Sequence, residues 1–195
     1  MNTLIASKWF GNPIWEIELT DIDNDSIIEY AYSLEKNNDV KSNRGGWQFY
    51  DLKNPTLPYL QLIDVCNQAV MEAHLSMGLK EEYPSYINGS WININPPQSF
   101  NVKHLHPRSL FSGVYYAKVP QGDCGDITFH RDPLPLSYIP SYIVQDWNDL
   151  TSGTATYKIK TGTLLIFPSW LEHSVSPNFT NEDRISIAFN TNYNF

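Results

Sequence analysis

Apolar residues change their spacing near residue 87, and with it the kind of element they predict. Before that point the strongest signals are helical. Ile27, Ile28, Tyr30, Ala31 and Leu34 recur at helical spacing behind Asn24 or Asp25 as a cap, which predicts a helix over about residues 25–36. A longer helix is expected over about residues 57–79. Thr56 stands at its cap, Pro58 falls in its first turn, and Leu60, Ile63, Cys66, Val70, Ala73 and Met77 form an apolar stripe. That stripe needs a partner, and a sheet is the expected one. Trp9-Phe10 and residues 14–19 read as strand-like pieces. Residues 37–47, with Asn37-Asn38-Asp39 and Gly45-Gly46, read as a turn-rich loop.

From residue 87 onward the pattern shifts to alternation and to short β-branched or aromatic runs. Strands are expected over residues 87–95, where Trp91-Ile92-Asn93-Ile94-Asn95 alternates, and over 102–106, 110–119, 126–130, 156–160, 164–168 and 184–190. Two helices followed by about seven short strands suggest a mainly β fold with flanking helices, an antiparallel jelly roll with the helices packed on one sheet. No repeat, low-complexity tract or linker divides the sequence. Residues 1–195 are therefore expected to form a single domain, with about 1–86 as support and the jelly-roll core over about 87–195.

Composition removes several function classes. The chain carries 13 Lys and Arg against 21 Asp and Glu, a net charge of −8. Phosphate binding needs a cationic surface, so no nucleic acid partner is expected. Basic residues never run together, which argues against a membrane anchor, and no apolar run approaches the roughly 20 residues of a membrane span. The N-terminus has no basic region and only a short apolar stretch, so no signal peptide is expected. Cys66 and Cys124 are too few for a disulfide framework. Reduced thiols in a cytoplasmic protein are the expectation, with one bridge formally open.

Candidate chemistry centres on histidine. Two of the five histidines form His104-Leu105-His106, and in a strand residues i and i+2 point to one face, so both imidazoles can converge on one point. Imidazole suits Fe, Zn, Cu and Ni, and a third ligand must come from a distant strand; His173, after an apolar strand, is the candidate. The plainer reading of a lone His-x-His is packing or surface, and the same holds for His74 on the long helix. His130, beside Arg131 and Asp132, is either a pocket residue or part of a loop ion pair.

Arg184 opens an otherwise apolar strand eleven residues after His173. Alternation puts Arg184, Ser186 and Ala188 on one face, and Ile185, Ile187 and Phe189 on the other. On the interior of a barrel, a guanidinium fork with a hydroxyl beside it is a carboxylate receptor. The competing reading is a partly exposed arginine paired with Glu182 or Asp183.

Taken together, these motifs resemble the iron(II)/2-oxoglutarate-dependent oxygenase superfamily. More narrowly they resemble a group with a His-x-His-Pro-x-Ser-x-x-Ser-Gly-Val-Tyr-Tyr pattern and a closing Arg-Ile-Ser-Ile-Ala-Phe-Asn-like strand. The matching stretches here are His104-Leu105-His106-Pro107-Arg108-Ser109-Leu110-Phe111-Ser112-Gly113-Val114-Tyr115-Tyr116, then Phe167-Pro168-Ser169-Trp170-Leu171-Glu172-His173, then residues 184–190. The likeness spans about residues 91–195.

The resemblance implies a double-stranded β-helix (cupin-like jelly roll) with Fe(II) at its open end and 2-oxoglutarate as co-substrate. His104, His106 and His173 would be the metal ligands. Arg184 and Ser186 would hold the far carboxylate of 2-oxoglutarate with help from Tyr116, while Tyr115 faces the other way. The superfamily usually has a carboxylate where this chain has His106, so the site would be one unit more positive; Asp126 or Asp132 is the alternative third ligand. The implied reaction converts 2-oxoglutarate to succinate and CO2 while hydroxylating a second substrate, either a small molecule or a protein side chain.

Trp91, Tyr116, Phe129 and Trp170 are candidates for a dry wall, or else for core packing. Trp91, His130 and Trp170 are the candidate substrate-pocket residues. The loop over residues 134–149, with Tyr138, Tyr142 and Trp147, is a candidate lid, or a cover for a sheet edge. Two other functions compete: a non-catalytic jelly-roll binding module, and a cupin-type three-His enzyme not using 2-oxoglutarate. A homodimer is an open expectation.

Overall fold

Alternating apolar positions close the chain into two facing antiparallel sheets. The computed structural model describes residues 11–34, 41–50, 52, 54–133 and 137–193. In chain order the elements are β1 (Trp15–Glu18), α1 (Asn24–Ser33), β2 (Asn43–Arg44), β3 (Trp47–Phe49), α2 (Leu57–Ser76), β4 (Ser85–Asn95), β5 (Phe100–His104), β6 (Phe111–Lys118), β7 (Ile127–His130), a 3-10 turn (Ser141–Ile143), β8 (Thr154–Tyr157), β9 (Thr163–Pro168), β10 (His173–Val175) and β11 (Arg184–Tyr193). One sheet has the order β1-β9-β6-β11-β4-β3, and the other β2-β5-β10-β7-β8. This is the expected jelly roll with flanking helices.

Period-two alternation sorts side chains between two cores. From the larger sheet, Ile92, Ile94, Tyr115, Leu164, Ile166, Ile185, Ile187 and Phe189 face outward and pack with Ile27, Ala31, Leu62, Cys66 and Val70 of the helices. Their neighbours Val114, Tyr116, Leu165 and Phe167 face inward and meet Ile127 and Phe129 of the smaller sheet. Burying one such side chain fully contributes about 1.5–3 kcal/mol. Gly113 belongs to this arrangement, because a Cβ there would collide with the Phe189 ring.

Several boundaries differ from the sequence expectation. Asp23 caps α1, accepting from the Ser26 N–H at 3.1 Å, and the helix ends at Ser33 because Leu34 is extended. Helix α2 stops at Ser76, where Gly78 turns left-handed (φ +75°). Its expected stripe holds at Cys66, Val70 and Ala73, which are buried, and widens to Tyr59, Leu62 and Ala69, while Leu60 and Met77 at the two ends are exposed. The Tyr59 hydroxyl donates to Ser90 Oγ at 2.8 Å, which ties that face to β4.

The N-terminal segment supplies more than support. β1 forms an edge of the larger sheet, β3 the opposite edge, and β2 an edge of the smaller one. Trp9-Phe10 lies outside the described residues. Both cysteines are free and buried. Among the described residues no helix is long and apolar enough to cross a membrane.

Candidate metal centre

β5 and β10 bring the first two histidines together. His104 ends β5, His173 begins β10, and the two are direct partners across the pair. Their ring centres lie 4.3 Å apart. His106 is two residues beyond the strand, not in it as the sequence pattern suggested. Its backbone N–H donates to the Ser169 carbonyl at 2.9 Å, and this loop contact returns its ring to within 5.0 Å of His104 and 5.2 Å of His173. One ring nitrogen from each histidine lies within 4.8 Å of the other two, and no other such cluster occurs among the described residues.

The tautomers are set by backbone. His104 Nδ1 lies 2.7 Å from the Val102 carbonyl, and His173 Nδ1 lies 3.0 Å from that of Leu171. A carbonyl only accepts, so both rings carry their proton on Nδ1 and keep the Nε2 lone pair for an ion. All three imidazoles are also held neutral, the ligand form. Burial pushes His173 down to about 3 and His106 to about 4, and the Lys41 charge adds to the effect at His106. His104 is lowered too, mainly by burial. Phe167 and Phe129 wall the His173 ring at 4.7 and 5.9 Å.

Below the imidazoles a cavity of about 50 Å³ runs inward to Arg184, Ser186 and Tyr116. Arg184 is 1% exposed. Its Nη1 donates to the carbonyls of Cys124 and, at 3.0 Å, Gly125. Gly125 (φ +83°) makes the seat, since a Cβ there would lie 2.8 Å from Arg184 Nη1 and collide with Ser176. No carboxylate among the described residues pairs with this guanidinium; Glu182 pairs with Lys118, and Asp183 accepts from Tyr32. A buried cation without a direct ion pair, with Nε and Nη2 left over at a cavity, suits an anionic ligand. Ser186 faces Tyr116 across the β11–β6 pair, and Tyr115 turns away to donate to Asn24 at 2.9 Å.

Other sequence candidates fall elsewhere. Trp91 lines the cavity, its ring 5.7 Å from His106. His130 does not; it bonds Ser174 Oγ at 2.9 Å and lines a separate cavity between β7, β8 and residues 149–153. Trp170 is 51% exposed and bonds Asn12, because it projects outward from the turn between β9 and β10. Asp126 is engaged by Lys158, and Asp132 is exposed, so neither joins the cluster. The loop aromatics Tyr138, Tyr142 and Trp147 point to solvent. His74 is buried and bonded to Ser85 and the Lys80 carbonyl, a packing role.

The polar half of the cavity comes from residues outside any recognisable motif. Asn93 and Asn95 share the Trp91 face of β4, which the alternation Trp91-Ile92-Asn93-Ile94-Asn95 already carries. Gln48 donates to Asn93 at 3.0 Å, and Asn93 to Ser186 at 3.4 Å. A wider cleft of about 470 Å³ opens outside the histidines, lined by Lys41, Tyr50, Trp91, His104 and His106. Lys41, Gln48 and Tyr50 lie in or beside a segment without a strong periodic signal.

A double-stranded β-helix whose strand ends gather three neutral imidazoles above a buried arginine defines a metal-dependent oxygenase of the jelly-roll class. The donor set fits iron(II), and the unpaired guanidinium fits the far carboxylate of a 2-oxo acid. The family described as "Putative 2OG-Fe(II) oxygenase" matches residues 89–190, just over half of the chain. The chain belongs to this family: it is a 2-oxoglutarate-dependent oxygenase, an oxidoreductase whose cofactors are iron(II) and 2-oxoglutarate.

Solved structures share the fold. A Pseudomonas putida prolyl-4-hydroxylase aligns with TM-score 0.65 and 17% identity over 92% of both chains. A viral collagen prolyl hydroxylase from Paramecium bursaria Chlorella virus-1, in its 2-oxoglutarate complex, aligns with TM-score 0.58 and 17% identity over 91% of this chain and 94% of that one. HygX from Streptomyces hygroscopicus, with nickel and 2-oxoglutarate bound, aligns with TM-score 0.65 and 10% identity over 92% and 82%. No curated protein matches significantly by sequence.

Proposed function

We propose that the protein is a dioxygenase that hydroxylates a second substrate while 2-oxoglutarate is converted to succinate and CO2. The observation that carries this reading is the single cavity lined by His104, His106 and His173 at one end and by Arg184 and Ser186 at the other. The three imidazoles would hold iron(II), and when bound the metal supplies oxygen activation coupled to decarboxylation of the 2-oxo acid. Arg184 fixes the far carboxylate of the co-substrate through its unused N–H groups, and Ser186 adds a hydroxyl donor. Tyr116, fully buried beside them, keeps its phenol protonated because burial raises its pKa, so it too can donate. Phe129, Phe167 and Val114 exclude water from the inner wall.

A three-His enzyme not using 2-oxoglutarate has no need of a guanidinium at the inner end of the metal cavity, which favours the 2-oxoglutarate reading. We further infer that the second substrate is a small molecule or a protein side chain, and that the free thiols Cys66 and Cys124 fit a reducing, cytoplasmic setting. Anaerobic addition of Fe(II) and then 2-oxoglutarate tests the reading. A weak visible charge-transfer band is expected for the wild type, with at least a hundredfold loss of 2-oxoglutarate affinity in Arg184→Ala. Absence of the band in the wild type, or an Arg184→Ala protein that binds 2-oxoglutarate normally, overturns it.

A further inference from the structure

Around the three imidazoles charge is sorted against the average of the chain. The protein has a net charge of −8. Yet the charged side chains lining the cavity and the cleft above it are Lys41 and Arg184, beside the three neutral histidines, with no Asp or Glu among the described residues. Arg184 at the inner end is accounted for by the co-substrate. Lys41 at the outer end is not.

Lys41 is seated with care for an exposed residue. Its N–H donates to Gln48 Oε1 at 2.8 Å, and its carbonyl accepts from Arg44 Nη1 at 2.9 Å. Through Gln48 and Asn93 that backbone is tied to Ser186 on the cavity floor. The ammonium stands 4.4 Å from the Tyr50 ring centre. No carboxylate among the described residues pairs with it. The Tyr50 ring lies 5.5 Å from Trp91, and Trp91 lies 5.7 Å from His106. Cation, two rings and metal ligand thus line one wall of the cleft.

We propose, resting on the oxygenase reading of this centre, that the second substrate is a monocarboxylate with a flat or apolar body. Its carboxylate meets Lys41, its body lies against Tyr50 and Trp91, and its far end is directed toward His106. One ammonium matches a single negative charge. Aromatic faces accept an apolar body without requiring hydrogen bonds from it. The cleft is the right place because His104 and His106 form part of its lining, whereas the cavity beside His130 touches none of the three ligands.

The test compares phenylacetate with phenylacetamide, probes of one shape that differ in charge. Binding is read from tryptophan fluorescence, with Trp91→Phe assigning the signal, in protein loaded with Ni(II) and 2-oxoglutarate and again in metal-free protein. The carboxylate is expected to bind at least tenfold more tightly than the amide, less so in high salt. Lys41→Ala should remove most of that preference, and Lys41→Glu should reverse it. Equal binding of acid and amide, or a preference unchanged in Lys41→Ala, overturns the proposal. If Ni(II) and 2-oxoglutarate fail to bind, the oxygenase reading falls, and the metal-free comparison still decides the role of Lys41.

Discussion

His104 and His173 face each other directly across the β5–β10 pair, with ring centres 4.3 Å apart and each Nδ1 turned to a backbone carbonyl. The pairing register alone brings together two imidazoles separated by most of the jelly roll. With tautomers fixed before any ion arrives, binding needs little side-chain reorganisation. Ni(II) at a hundred times its dissociation constant should stabilise the metal-free protein by about 2.7 kcal/mol. That corresponds to a rise in melting temperature of about 5–10 °C for a chain of this size. His104→Ala and His173→Ala should each abolish the rise; a full rise in either variant would remove that histidine from the centre.

The same burial makes the metal-free protein acid-sensitive. His173 titrates near 3 and His106 near 4 when folded, against about 6.5 in an unfolded chain. Below pH 6.5 the unfolded state takes up protons that the folded state refuses, so stability is full above that pH and falls as pH drops. Between pH 7.5 and 5 the loss should reach about 2 kcal/mol for each of the two imidazoles. Urea denaturation at both pH values measures it. His173→Leu should flatten the slope.

Gly125 should prove as sensitive as the arginine it seats. An alanine there meets the Ser176 backbone, crowds Arg184 Nη1 and is strained at φ +83°. Gly125→Ala is expected to cost about 1–3 kcal/mol and to weaken 2-oxoglutarate binding at least tenfold, as read by denaturation and by calorimetry. A neutral result in both would mean that the Cys124–Gly125 turn does not position Arg184.

Asn93 joins the two halves of the cavity. Asn93→Ala leaves Gln48 Nε2 without its buried acceptor and Ser186 without its donor. A loss of about 1–3 kcal/mol is expected, together with a several-fold higher KM for 2-oxoglutarate. Asn93→Asp keeps the acceptor for Gln48 but places a negative charge near the co-substrate's carboxylate. It should therefore lose more affinity than stability.

Much of this was legible along the chain. Alternation in Ile185-Ser186-Ile187-Ala188-Phe189 already separates the residues that pack on the helices from those that line the cavity, because a strand has only two faces. The same logic placed Tyr115 and Tyr116 back to back and would have flagged Asn93 and Asn95. For His106 the expected convergence holds but not its cause, because a loop contact to Ser169, and not strand alternation, brings the ring into place. Alternation could not place Trp170 or His130, since nothing local says which way a turn projects, nor could it show that Lys158 claims Asp126 and leaves His106 as the third imidazole. The stripe of α2 is a partial case: Cys66, Val70 and Ala73 face the core as expected, while packing against Tyr30 and Ser90 draws in Tyr59 and leaves Leu60 in solvent.

The order of polar and apolar residues therefore determined the two-sheet fold, the inward and outward faces of its strands, and the residue types able to hold a metal and an anion. Those are local properties, set by a period of two and by side-chain chemistry. Only the tertiary structure decided that three histidines share one point, that Arg184 lies buried without a direct ion pair among the described residues, and that Lys41, Tyr50 and Trp91 line the entrance. Such facts depend on pairing register and loop direction between segments far apart in the chain, where the energy resides in contacts that no local pattern encodes.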